Sequence, residues 1–334
     1  MALTVTTVAR RSAVIVAALV ALLAAVGASL AIGAVDIPLA TVIDALFGDL
    51  ADGPERKIVM DIRLPTTVEA VAVGAALGVA GAVLQGALAN PLASPDVIGV
   101  TAGAGFGATL ILLAFPGSVA LLPVGALVFG LVAAAVVFAI AWTGRNRGGV
   151  TQVILAGIAV AALFGAATTG LMTAFPDRVQ SVVFFMAGGL TPNAWIDLES
   201  FWPYFVVGLA LALVLIRPLD RLALGDDVAA SLGSRPQLIR LGAGICAAVL
   251  ASAAAALVGL LSFLGLVVPH LVRMAGGTSS HSFVIPASAL AGAALLTAGD
   301  VLARNVAAPT VLPVGPFMVV LGVPLFLWLL RRTA

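Results

Sequence analysis

RLPTTVEAVAVGAALGVAGAVLQGALANPLASPDVIGVTAG, running from Arg63 to Gly103, is the stretch on which the fold turns. It joins one long apolar run to the start of the next, and both runs are long enough to enter a bilayer. Asn90-Pro91-Leu92-Ala93-Ser94-Pro95-Asp96 joins them. Lipid cannot satisfy exposed backbone N–H and C=O groups, so a polar, proline-punctuated hinge must sit at a membrane surface or inside protein.

The rest of the chain has the same character. It is 62% hydrophobic and 9% charged, with a mean hydropathy of +1.21; a soluble domain carries about 25% charged residues. The apolar runs are continuous rather than alternating, which argues against a membrane β-barrel. The implied class is an all-α polytopic membrane protein, a single integral-membrane domain over residues 1–334. Thirty-six glycines suit close helix packing in lipid, where small residues let backbones approach. A net charge of +1 offers no basic field for nucleic acid. Cys246 is the only cysteine, so no disulfide forms within the chain, and it reads as a small packing residue. Arg10-Arg11 followed by the apolar run 12–34 exceeds the 7–15 residues of a signal-peptide core and reads as a retained helix.

Apolar windows fall near 12–34, 65–84, 98–115, 119–142, 152–174, 200–217, 237–258, 259–274, 283–303 and 314–330. Phe115-Pro116-Gly117-Ser118 divides the third from the fourth. Residues 237–274 hold no such break, yet one helix there would be ~57 Å long against a hydrocarbon core of ~30 Å. The chain must turn within it, near Gly259. About ten transmembrane helices result. With the N-terminus inside, Arg10, Arg11, Arg145, Arg147, Arg217, Arg221, Arg235, Arg240, Arg273, Arg331 and Arg332 lie on the inner side. Arg56, Lys57, Arg63, Arg178 and Arg304 lie on the outer side, so the positive-inside rule places both termini in the cytoplasm. The larger loops are 35–64 and 175–199 outside and 218–236 inside. The first is acidic, with Asp36, Asp44, Asp49, Asp52, Glu55 and Asp61.

The inner loop 218–236 contains LALGDDVAASLG, Leu222 to Gly233. A short helix from Asp226 to Leu232 fits, bracketed by Gly225 and Gly233. Asp226 and Asp227 stand at its N-terminus, where the helix dipole favours acids. Such a helix between spans six and seven is a contact surface, or a capped surface helix without a partner.

In order along the chain, RLP, GAALGVAGAVLQG, NPLASPDVIGVTAGAG, LALGDDVAASLG, SFLGLVVPHLVRMAGG, LAGAALLTAGDVLAR and LPVGPFMVVLGVPLFLWLL resemble the permease subunits of iron-chelate and cobalamin ABC importers, over roughly residues 55–332. The wording of NPLASPDVIG and LGDDVAASLG is closest to the ferric-enterobactin type. The resemblance implies a bacterial inner-membrane subunit that moves iron–siderophore complexes inward by alternating access. It implies a second permease, two cytosolic ATPase subunits that use ATP and Mg, and an external binding protein. No cofactor or metal is expected on this chain. Nothing in it resembles the phosphate-cradling G-x-x-x-x-G-K-[ST] loop, so the chain is not itself the ATPase.

By the resemblance, Leu224, Gly225, Asp226, Asp227, Ala229, Leu232 and Gly233 form the ATPase-coupling segment, and Arg63 and Arg304 meet carboxylates of the binding protein. Alternatively those arginines snorkel, or pair with Asp61 or Asp300. Two positions depart from the family pattern: Thr66, where many members carry a second arginine, and Thr310-Val311, where many place an acid. Glu69 is an intramembrane carboxylate that lines the pathway, carries protons, or reaches water near an interface. Gln85 and Asn90 bond loop backbone, touch the ATPase or gate the path. Met172, Phe175 and Met186 line the pathway or pack. His270 and His281 have no zinc-ligand spacing around them. No nucleophile–base pairing suggests an intramembrane hydrolase. The rival readings are a haem or cobalamin importer of the same family, an ion-coupled secondary transporter using Glu69, and a membrane scaffold.

Overall fold

The computed structural model describes residues 2–48, 52–143, 149–190, 194–306 and 312–333, and every regular element among them is helical. In chain order the helices are α1 (Ala2–Ala31), α2 (Leu39–Phe47), α3 (Pro54–Lys57), α4 (Leu64–Ala87), α5 (Val100–Ala114), α6 (Leu122–Thr143), α7 (Val150–Ala174), α8 (Val179–Ala187), α9 (Ala194–Leu222), α10 (Asp226–Ser231), α11 (Pro236–Val258), α12 (Leu264–Gly276), α13 (His281–Val306) and α14 (Val314–Thr333). Asp49, Arg145, Arg147 and Thr310-Val311 lie outside the described residues.

Among the described residues seven helices are long and apolar enough to cross a membrane, and three shorter apolar helices, Val100–Ala114, Leu264–Gly276 and Val314–Leu325, fall on the remaining apolar windows. At 1.5 Å per residue the 13-residue α12 is only ~20 Å long. The break before it falls where length demanded one: α11 ends at Val258, and Gly259 takes φ +75°. The second break is a 3-10 segment, Pro116–Leu121.

Two segments expected as outer loops are largely helical. Pro54 follows Gly53 at the first helical position, where its missing N–H costs nothing, and α3 runs through a π-helical turn, Ile58–Arg63, directly into α4. The second-span helix therefore begins about three turns earlier than its apolar window. A satellite core of Leu30, Ile37, Val42, Ala45 and Val59 holds α2 against this extension. In 175–199, the apolar run VQSVVFFMA forms α8.

α4 is the central helix: 83% of its most apolar window is buried, against 17% for α1 and 22% for α7. Its small residues make that possible. A Cβ on Gly74 would strike the Gly292 carbonyl, one on Gly78 the Ser288 carbonyl and one on Gly81 the Gly265 carbonyl. The Gly74-xxx-Gly78 spacing thus seats α13 backbone to backbone, as small-residue seams do in lipid.

The two ends of the bundle are tied by arginines. At one end, Arg10 of α1 donates to the carbonyls of Ala275 (2.7 Å) and Met274 (2.8 Å), filling orphan acceptors at the C-terminus of α12. Arg11 donates to Thr278 Oγ1 there (2.9 Å). At the far end Arg63 does the same for α1.

Candidate functional site

α10 buries one residue and presents others. Ala229 is fully buried against the bundle, whereas Leu224, Val228 and Leu232 are 60%, 46% and 54% exposed. Their i, i+4, i+8 spacing makes one apolar stripe on a six-residue helix and its flanks. Gly225 (φ +101°) and Gly233 (φ +77°) take the left-handed backbone that lets the chain enter and leave so short an element. The coupling residues expected from sequence therefore divide: Leu224 and Leu232 point outward, Ala229 inward. Val228, passed over in the sequence, belongs to the stripe. Asp226 is half exposed and takes both guanidinium nitrogens of Arg240, at 2.7 and 2.9 Å.

The end of α4 lies beside α10, and three helices converge on it. Arg240 of α11, only 7% exposed, donates Nε–H to the Ala87 carbonyl at 3.3 Å. Arg273 of α12 donates to Gln85 Oε1, and to the Ala82 carbonyl at 3.3 Å. Gln85 in turn donates to the Leu266 carbonyl at 2.9 Å. Gln85 thus bonds backbone, but that of α12 rather than the hinge. The buried imidazole of His281, at the start of α13, abuts Gly86, and its Nδ1 lies 2.8 Å from Asp220 Oδ1 at the end of α9. Asn90 shapes the turn that follows, its side-chain oxygen accepting the Leu92 N–H at 2.9 Å.

Beyond that turn the hinge leads to a cavity of about 680 Å³ between α5, α7, α8 and the α11–α12 turn. Asp96, Thr101, Thr168, Met172, Met186 and Phe263 are among its lining residues. Met172, expected on the pathway, is on this wall, together with Met186. Asp96 is the only ionisable side chain among the described residues lining it. Surrounding protein pushes the Asp96 carboxyl pKa up, and a hydrogen bond with Thr101 partly offsets this. Phe263, with φ +71° at the start of α12, holds a left-handed conformation unusual for an aromatic residue and turns the chain into the wall.

A second cavity, about 800 Å³, opens at the far end, and Arg63, Thr66, Asp300 and Arg304 line it together. The structure thus joins the two arginines that the sequence singled out, but engages both. Arg63 is 4% exposed; its Nη1 donates to the carbonyls of Leu30 (2.7 Å) and Ala31 (2.8 Å), and its Nη2 to that of Val35. Arg304 pairs with Asp300 at 2.6 Å and donates to Ser29 Oγ at 2.9 Å. Ser29 bonds Thr67 Oγ1 (2.8 Å), which donates to the Arg63 carbonyl (2.6 Å), so one polar chain ties α1, α4 and α13.

Glu69 is fully buried in α4, so it does not reach water at an interface, and it is not among the residues lining either cavity. Among the described residues no three His, Cys, Asp or Glu side chains cluster as metal ligands.

With this geometry in hand, comparison places the chain among known proteins. The model of the FecCD transport family matches residues 19–332. The chain is 37% identical over 307 residues to the iron(3+)-hydroxamate import system permease protein FhuB of Bacillus subtilis, covering 91% of this chain and 79% of that protein. It is 35% identical over 322 residues to the ferric enterobactin transport system permease protein FepD of Escherichia coli, covering 94% and 93%. Its structure resembles that of an inward-facing transporter assigned to the metal-chelate ABC type, with a TM-score of 0.85 and 28% identity over 96% of this chain and 99% of that one.

Proposed function

The chain belongs to the FecCD transport family, as a membrane permease of an ABC importer, and on that premise we propose that it carries iron–siderophore complexes into the cytoplasm by alternating access. It works with a second permease, the same or a homologous chain, and with an external binding protein. Two cytosolic ATPase subunits supply the energy. It crosses the bacterial inner membrane ten times with both termini in the cytoplasm, an orientation supported by the distribution of arginines in the sequence.

One observation carries the reading: the apolar stripe Leu224–Val228–Leu232 stands exposed on a short helix whose buried contact is Ala229. A protein that only lined a pore would have no reason to expose these side chains at an aqueous end. A groove on a soluble partner would cover them, each contributing roughly 1.5–3 kcal/mol if fully buried. The cavity at Asp96 supports the cargo. A chelated iron arrives with its coordination positions filled, so a wall of hydroxyl, thioether and aromatic groups serves it without metal ligands. Haem or cobalamin is the alternative cargo of the same family. Arg63 and Arg304 remain docking residues in this proposal through the far-end cavity they share. A direct charge contact by Arg63 requires its guanidinium to leave the α1 carbonyls.

The test is co-purification of this chain with its ATPase, followed by uptake of ⁵⁵Fe-labelled siderophores into vesicles. ATP-dependent uptake sensitive to vanadate supports the proposal. Uptake driven by a proton gradient without an ATPase overturns it in favour of a secondary transporter.

A further inference from the structure

The polar contacts at the end of α4 have a direction. From α10, Asp226 holds Arg240 through two hydrogen bonds, at 2.9 and 2.7 Å. The same guanidinium reaches the Ala87 carbonyl at 3.3 Å, on the last residue of α4. Two residues back, Gln85 donates to the carbonyl of Leu266 at 2.9 Å, and Leu266 lines the cavity. One residue on from Gln85, Gly86 lies against His281, whose N–H and ring both bond Asp220, just before α10. The chain on both sides of α10 is therefore tied to the last turn of α4. A bidentate guanidinium–carboxylate pair fixes orientation as well as distance, so it transmits displacement better than a single bond or a lysine would.

We propose that Arg240 is a positioning residue for transport: it makes α10 and the inner end of α4 move as one body, so that a shift of α10 displaces Gln85, the 88–99 hinge and the Leu266 wall of the cavity. This rests on the reading of α10 as the ATPase contact. An exposed ion pair of ordinary kind contributes little to stability. Here the arginine is buried and its third bond goes to a helix end, which is where coupling energy between two elements would be stored.

The experiment uses the whole transporter, reconstituted with its ATPase and binding protein, and reads cargo moved per ATP hydrolysed. Arg240→Gln is expected to retain the ATPase on co-purification and to hydrolyse ATP; Asp226→Asn, which lies on the coupling segment itself, is compared at equal amounts of bound ATPase. Each is expected to move less cargo per ATP, by roughly twofold to thirtyfold, the range that mutations along coupled networks give. The double variant should be no worse than the poorer single, because both remove one link. Arg240→Lys should recover part of the loss. Asp226 is half exposed, so its variant folds even where Arg240→Gln does not. A wild-type ratio in Asp226→Asn overturns the proposal, as does a fully additive double variant. Absence of ATP-dependent uptake in the wild-type complex overturns instead the importer reading beneath it.

Discussion

Asp96 sets the electrostatics of the cavity wall, since no other ionisable side chain among the described residues lines it. Like charges about 8 Å apart in an effective dielectric near 20 repel by about 2 kcal/mol per unit charge. At a pH above its raised pKa, Asp96→Asn should therefore raise uptake of an anionic ferric chelate relative to a neutral one by about tenfold or more, read from competition uptake with two labelled chelates. An unchanged ratio would remove Asp96 from cargo selection. The sign with pH follows from the raised pKa: the carboxylate discriminates against anions above that pKa, and discrimination fades as pH falls through it. Arg63 is a different case. Its hydrogen bonds to the Leu30 and Ala31 carbonyls at the end of α1, and to that of Val35 just beyond, make it structural in this conformation. Arg63→Met should lower the unfolding free energy by about 1–3 kcal/mol, measured by thermal melting in detergent. Arg63→Glu should also weaken binding-protein association most at low salt. Retained stability with lost association would mean that the guanidinium swings outward. Arg63 stands out in the sequence through the family resemblance of its RLP motif, which gives no sign that the side chain turns back to cap a helix ending at residue 31.

At the scale of elements, α10 and the α4–α13 seam carry the argument. Val228→Glu or Leu232→Glu places a charge on the exposed stripe without touching Ala229. Each should leave membrane insertion intact and reduce ATPase association and transport by at least about tenfold, read by co-purification and uptake in vesicles. A bulky charged residue at Gly225 should do the same, with added strain from its left-handed backbone. Unchanged transport in these variants would remove α10 from the ATPase interface. Gly78→Leu should fail differently. Its side chain would collide with the Ser288 carbonyl and push α13 from α4, so the folded protein should be lost from the membrane fraction. Hydropathy and punctuation located the ten apolar windows, the break at 115–118 and α10 between its glycines, and length against bilayer thickness located the break near 259. They did not locate α2 or α8, whose apolar faces are short and become meaningful only when packed on α1 and α5, nor α3, a four-residue polar turn with no apolar face. Nor could spacing along the chain show that Arg240, Arg273 and His281 meet at residues 82–87, because those contacts span more than 150 residues.

The whole molecule is a bundle around α4 with polar contacts at each end. At the far end one chain runs through Arg304, Ser29, Thr67 and Arg63; at the α10 end Arg240, Arg273 and His281 each meet α4 separately, at Ala87, at Ala82 and Gln85, and at Gly86. Both are anchored on α4, so that helix can pass displacement from one end to the other while its glycine seam keeps α13 in register. In the proposed importer such a body would convert work done at one end into access at the cavity, and nothing in the sequence resembles a phosphate-cradling loop. The most direct measurement of this claim is uptake of a ferric siderophore into proteoliposomes holding the chain alone or with its ATPase and binding protein. Accumulation only in the complete assembly, and only with hydrolysable ATP inside, is the result expected. Concentrative uptake by the chain alone under a proton or sodium gradient would contradict it.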